Sequence, residues 1–498
     1  MSTETNAEDK FTTRRSIGMF SGVFVASGVV IGSGIFISPH GVFGKFKTLA
    51  CVGIKMLVMS CFLAAANYSV GVTLIIWVFG GLIAMLSTLC YCELATSIPE
   101  SGSDYTYLTY AYHPALAFLI PWMNTLLPTA DSILMLTFAR YATEPFFVDS
   151  QPPEESVKLV AICLLLFITA INVLTNKLAV RLQIAFTWSK YIAITVVVIS
   201  AVAFCIGQPS VAQENFSNAF AHDSVSGITP LALSNAFYQV MWSYEGWNAL
   251  CSVTEEVKNP GKTIPRATVV TIGLVTIVYL MINCAYFSVL SVDEMASSKI
   301  VALPFALKAM GGASWIVPLT VCLCTAGSYS AGILTFGRGS YVAARRGHFP
   351  QIFGMLHIHK RIPSTALALN CIAAIVLISI GQFSTLIDTF GFVNWTFKAL
   401  STLAVLIIRK RLPELNRPYK VPTIIPVFLI FLSLFFVVVP LINNPHFLYF
   451  YAIAFFAVGL LYYLLFVHKG YKIPGSERTT RFLQKLLQVA PCEWEKTN

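Results

Sequence analysis

Charged side chains are scarce in this chain. Asp, Glu, Lys and Arg make up 11% of its 498 residues, while hydrophobic residues make up 56% and the mean hydropathy is +0.72. A soluble globular protein carries about 25% charge, so this composition excludes an ordinary water-soluble fold and indicates a polytopic membrane protein. Chemical motifs are missing too. There is no Walker loop, no GxSxG and no HExxH. An ATP-driven pump, a membrane hydrolase or another enzyme therefore has no footing. Twelve cysteines are scattered, mostly through apolar runs, without a CxxC pair or a Cys/His cluster. No metal or other cofactor is expected. The formal net charge of +10 resides in short loops between apolar runs, which argues against a nucleic-acid partner. The polar start, MSTETNAEDKFTTRRS, lacks the pattern of a cleavable signal peptide.

Within this apolar background, one hydrophobic segment is interrupted. Ser16 to His40 reads SIGMFSGVFVASGVVIGSGIFISPH, long enough to cross a bilayer, which takes about 20 residues. Its middle carries Gly28, Gly32, Ser33 and Gly34. Each glycine costs a helix interior about 1 kcal/mol relative to alanine. In lipid, an unwound turn also exposes backbone groups that need partners. Two readings fit: close helix packing through small residues, or backbone presented to a ligand at mid-membrane.

Apolar runs predict twelve spans, near residues 16–39, 70–94, 115–139, 157–176, 183–206, 230–252, 267–290, 313–337, 364–381, 383–408, 422–441 and 446–467. They delimit a 1–15 N-terminal tail, a 16–467 membrane domain and a 468–498 C-terminal tail. Lys and Arg concentrate in alternate loops, as at Lys258, Lys262 and Arg266 and from Arg409 to Lys420. Positive-inside then puts both termini in the cytoplasm. Leu49 to Ala66 is barely long enough to span. Counting it as a crossing would reverse every later loop, so residues 44–66 read as a non-spanning insert. The tail from Arg478 starts as a basic amphipathic helix, expected on the inner membrane surface, with a calmodulin target as the alternative.

Further landmarks follow in order: YCELATSIPESGSDYTY (91–107), FARYATEPFF (138–147), WSYEGWNALCSVTEEVKNPGKTIPRA (242–267), SYVAARRGHFPQIF (340–353) and RPYKVPTIIPVF (417–428). Together these strings resemble the light-chain subfamily of L-type amino acid transporters, in the amino acid–polyamine–organocation superfamily. The resemblance runs from about Arg15 to the tail. It implies an all-α, LeuT-like fold of two inverted five-helix repeats and two extra helices, with the first and sixth spans unwound at the bilayer midplane.

By that resemblance the substrate site comprises Val30, Ile31, Gly32, Ser33 and Gly34 of the first span, Trp242, Glu245, Gly246 and Asn248 of the sixth, and Asn394 of the tenth. Backbone N–H groups at Ser33 and Gly34 are expected to hold a substrate carboxylate. Such groups sit at the positive end of a half-helix. Carbonyls near Val30, Trp242 and Glu245 are expected to hold the ammonium, with Trp242 closing over the substrate. Trp77 and Trp188 read as packing or interface residues. Asn394 stands where the acidic-substrate exchangers of the family carry arginine, which implies neutral substrates. Its plain reading is a helix–helix hydrogen bond. Lys190 matches a family lysine near the ion site of sodium-coupled relatives, where an ammonium can replace Na⁺. Snorkelling to the cytoplasmic edge is its alternative.

Asp131, Glu245 and Lys398 depart from the family pattern as charges inside spans. A buried charge needs a partner; Lys190 and Lys398 are both candidates for Glu245. The 141–158 loop, where light chains bond a glycoprotein heavy chain, has no cysteine. A disulfide-linked heavy chain is therefore not expected there, although a non-covalent one stays open. Sequons at Asn67 and Asn215 fall in loops predicted to be external. The expected function is sodium-independent transport, by exchange, of neutral L-amino acids across the plasma membrane, with large or aromatic substrates as one option. A cationic amino acid or polyamine carrier using Glu245, and a non-transporting sensor on the same fold, are the alternatives.

Overall fold

The computed structural model describes residues 17–32, 34–35, 70–100, 102–147, 152–174, 176–217, 219–220, 230–252, 254, 257–297, 301–345, 347–358, 363–381, 383–443, 447–471 and 476–491. The 1–15 tail, Ser33 and the 44–66 insert lie outside them. Helices dominate in the order α1 (Met19–Val30), α2 (Val70–Ser97), α3 (Asp104–Ala111), α4 (Pro114–Leu126), α5 (Thr129–Thr143), α6 (Glu154–Leu174), α7 (Asn176–Gly207) and α8 (Ser210–Ser217). Then come α9 (Pro230–Ser243), α10 (Ala249–Ser252), α11 (Pro260–Val289), α12 (Val292–Ser297), α13 (Ala302–Met310), α14 (Ile316–Arg345) and α15 (Ser364–Ile380). The chain continues through α16 (Phe383–Arg411), α17 (Ile424–Asn443), α18 (Phe447–Tyr462) and α19 (Ser476–Leu487).

Among the described residues, eight helices are long and apolar enough to cross a membrane. The other four expected stretches are helical but short, as in α1 and α15, or broken, as in α4–α5 and α9–α10. By length and composition alone, eight of the twelve expected spans are each met by a single long helix among the described residues. The third stretch, expected as one continuous span over 115–139, divides between α4 and α5. Pro128 has no N–H to continue the ladder and disfavours helical geometry at the residue before it. Leu127 accordingly leaves the helix at φ −129° and ψ 61°.

Four long helices frame the centre. α11 packs against α1 and α2, and α14 packs against α5 and α7. The largest buried cluster joins residues of α1, α2, α9 and α11, including Trp77, Tyr244, Tyr279 and Tyr286. Trp77 is fully buried against Tyr244 and Tyr279, while Trp188 is 58% exposed. The start of the first broken unit is also tied to the segment that follows α10. Ile17 forms a parallel bridge with Val257, and the Lys258 N–H donates to the Ile17 carbonyl at 2.9 Å.

One expectation at the periphery changes, and the tail helix gains a packing partner. Asn215 is buried in α8, and its side-chain amide donates to the Phe287 and Leu290 carbonyls, each at 2.8 Å. Both N–H groups are occupied in capping the end of α11, so this sequon is not presented for glycosylation. Asn67 lies outside the described residues. The tail does form the amphipathic helix α19. This helix is held against the rest of the chain. Leu483 and Leu487 pack against Ile352, Met355 and Val489, and the strand β2 (Val489–Pro491) pairs antiparallel with β1 (Met355–His357). Phe482 and Leu486 stay exposed on the other side of the helix.

Candidate substrate site between two broken helices

The glycines that interrupt the first hydrophobic stretch end its helix. α1 stops at Val30, and Ile31 turns out of helical geometry at φ −70° and ψ 88°. The sixth stretch stops at Ser243, passes through a turn over residues 244–248 and resumes as α10. Gly246 adopts φ +95°, open to glycine but rare for other residues.

The two breaks lie directly against each other. A Cβ on Gly34 would fall 2.5 Å from the Cα of Ser243. A Cβ on Gly246 would fall 2.6 Å from a Val29 methyl. Each broken segment therefore carries a glycine where the other approaches. This geometry requires close backbone contact, and it also leaves main-chain groups without helical partners at both breaks.

Tyr279 of α11 meets part of that need. Its hydroxyl lies 2.9 Å from the Val30 carbonyl and 2.7 Å from the Ser243 carbonyl. A phenol carries one proton, so it donates to one carbonyl at a time or is shared between them. A single fully buried side chain thus caps the ends of both broken helices. Sequence reasoning passed over Tyr279, since one tyrosine in an aromatic-rich span carries no local mark. The Val30 carbonyl named for a substrate ammonium is thereby already engaged once, although a carbonyl oxygen has a second lone pair.

Lys190 does not snorkel. It is 2% exposed, and its ammonium donates to the Gly28 carbonyl at 2.9 Å and to the Ser328 hydroxyl at 3.2 Å. Gly28 belongs to the last turn of α1, where the helix dipole favours a cation. The contact joins α7, α1 and α14 next to the break.

Glu245 finds its partner in α16. One carboxylate oxygen accepts from the Lys398 ammonium at 2.9 Å and from the Asn394 amide at 2.9 Å. Lys190 takes no part in this. Asn394 therefore makes the interhelical hydrogen bond of its plain reading, and does so at the break itself. Asn248 is only loosely engaged, its amide 3.5 Å from the Ser103 hydroxyl. Trp242 stands edge-on to Phe390 with ring centroids 4.8 Å apart, and its indole N–H has no partner among the described residues. A buried donor without a partner is costly. Asp131 is buried on α5 beside Asn370. The structure brings Val30, Ile31, Gly32, Gly34, Trp242, Glu245, Gly246, Asn248 and Asn394 to one neighbourhood, with Lys190 at its edge.

Comparison with known proteins gives the family. The pattern of the family described as amino acid permease matches residues 17–466. The chain is 36% identical over 486 residues to b(0,+)-type amino acid transporter 1 of Mus musculus, a match covering 96% of this chain and 94% of that protein. It is 34% identical over 508 residues to the cystine/glutamate transporter of Homo sapiens, covering 98% and 93%. It is 34% identical over 446 residues to Asc-type amino acid transporter 1 of Mus musculus, covering 88% and 79%. This chain therefore belongs to the amino acid permease family, in the branch its sequence landmarks resemble, the light chains of L-type amino acid transporters.

Proposed function

We propose that this amino acid permease exchanges neutral L-amino acids without sodium, across the plasma membrane and with both termini in the cytoplasm. The observation that supports it most is the meeting of two broken helices at Gly34, Ser243 and Gly246. Backbone N–H groups at Ser33 and Gly34 would take the substrate carboxylate, and carbonyls at the breaks its ammonium. Main-chain groups of this kind recognise the shared core of an amino acid and leave the side chain to Trp242, Asn248 and Asn394. The orientation rests on the Lys and Arg asymmetry of the loops. A heavy chain, if one associates through the 141–158 loop, is held there without a disulfide.

The cationic reading needs a free carboxylate at Glu245. Here that carboxylate faces Lys398 at 2.9 Å, which favours neutral substrates. Sodium independence rests on Lys190. Its ammonium holds the Gly28 carbonyl and the Ser328 hydroxyl, two oxygen atoms of the kind a hard cation would seek. Replacing Na⁺ with choline in an uptake assay of a neutral amino acid panel should leave rates nearly unchanged. A severalfold fall on sodium removal would refute the sodium-free part of the proposal. Absence of uptake for every amino acid, at normal surface expression, would favour a sensor.

A further inference from the structure

Lys398 is a cation inside a membrane span, 6% exposed and one turn beyond Asn394 on α16. Among the described residues its ammonium makes one ion pair, with Glu245, and it lies 5.1 Å from the ring centroid of Trp247 and 5.3 Å from that of Trp395. Two aromatic faces and a carboxylate form an ammonium cage. That cage stands at the sixth-helix break, beside the residues assigned to substrate. Glu245 is 31% exposed at its side chain, so the carboxylate borders open space as well as the cage. Its second oxygen, Oε1, has no protein donor among the described residues. The nearby Asp104 is engaged otherwise, accepting from the hydroxyls of Ser401 and Tyr91.

We propose that Lys398 determines substrate charge: its tethered ammonium occupies the Glu245 carboxylate and the Trp247–Trp395 cage, and so excludes amino acids with cationic side chains. This inference rests on the transport reading above. A pocket lined by Glu245 alone would attract a lysine or arginine side chain. With Lys398 in place, an incoming ammonium or guanidinium finds that carboxylate already paired and meets a like charge beside it. Exclusion by a built-in cation is a repulsive element, and it needs no change in the backbone groups that hold the amino acid core. Lysine suits the role physically, since a long stem carries its charge from α16 to the break while its methylenes pack among apolar neighbours.

The test uses the full chain and radiolabelled L-leucine, L-alanine and L-arginine. In the unaltered protein, excess L-arginine should not compete with uptake of the neutral substrate. Lys398→Met keeps length and removes charge. It should raise the ratio of arginine to neutral uptake by about tenfold or more. Adding Glu245→Gln to that variant should cancel the gain, because the carboxylate would no longer attract a cation. Lys398→Arg, which keeps the charge, should continue to exclude arginine. Competition by arginine equal to that of a neutral amino acid in the unaltered protein overturns the proposal. So does a transporting Lys398→Met variant whose ratio stays unchanged. If Lys398→Met fails to reach the membrane, the competition experiment and Lys398→Arg still decide. Failure of the unaltered chain to take up any of the three would count against the transport reading itself.

Discussion

Gly34→Val should abolish amino acid uptake while the chain still reaches the membrane. The reason lies in a single distance. A Cβ at this position would stand 2.5 Å from the Cα of Ser243, and ordinary contact begins at 3.4 Å. The obstacle is backbone, which has no rotamer to change. The two broken segments must then part by about 1 Å, within an interior that packs like a crystal. Separation would shift the Val30 and Ser243 carbonyls that share the Tyr279 hydroxyl. It would also place branched bulk beside the main chain that is to receive the carboxylate. Gly34→Ala carries the same Cβ and should fail almost as badly, whereas substitution of Gly18, whose added Cβ meets nothing within 4 Å, should be tolerated. Surface biotinylation with uptake measured on the same cells separates loss of transport from loss of expression. Normal uptake by surface-expressed Gly34→Val would remove this approach from the mechanism and move the carboxylate site elsewhere.

The first break was legible because its cause is local, and the sixth because the family resemblance placed it. Glycines at 32 and 34 weaken a helix wherever they stand, and Gly246 takes a backbone angle that suits glycine best. The break at Pro128 had an equally local cause, but a continuous apolar run masked it; proline inside a hydrophobic stretch deserved more weight than the run. Partnerships across the fold were legible only as candidates. Lys190 and Gly28 are separated by 162 residues and Lys190 and Ser328 by 138, and no spacing rule connects them. Glu245 had two eligible lysines, and geometry favoured the one on α16. Tyr279 was invisible for a related reason. Its importance comes from standing across two helix ends that only the folded chain brings together. Asn215 shows the converse, a motif match with no account of burial. The sequence pattern was satisfied while the amide was already spent on the end of α11.

The second large effect concerns stability. Glu93 of α2 is 2% exposed, and its carboxylate accepts from the Arg409 guanidinium of α16 through both oxygens, at 2.7 and 2.5 Å. The Val421 N–H donates to the same carboxylate at 2.7 Å, and Arg409 reaches on to the Val421 carbonyl and the Thr423 hydroxyl. Two helices and the loop leading into α17 therefore meet at one fork-shaped ion pair, in the bidentate geometry that arginine favours. Next to it, Arg417 donates to the carbonyls of Ile408, Leu412, Pro413 and Leu415, which gives the RPYKVP string a structural task in closing the end of α16. Removing one partner strands a buried charge. Glu93→Leu and Arg409→Met should each cost about 3–5 kcal/mol. The double variant should be markedly more stable than either single one, because it leaves no charge unpaired. It should not return fully, since the Val421 N–H loses its acceptor, worth about 1–3 kcal/mol when buried. Thermal unfolding of the purified protein in one detergent would rank the four chains. Single variants that melt with the unaltered protein would show that water reaches this pair, and a double variant no better than the singles would show that shape rather than charge holds the junction.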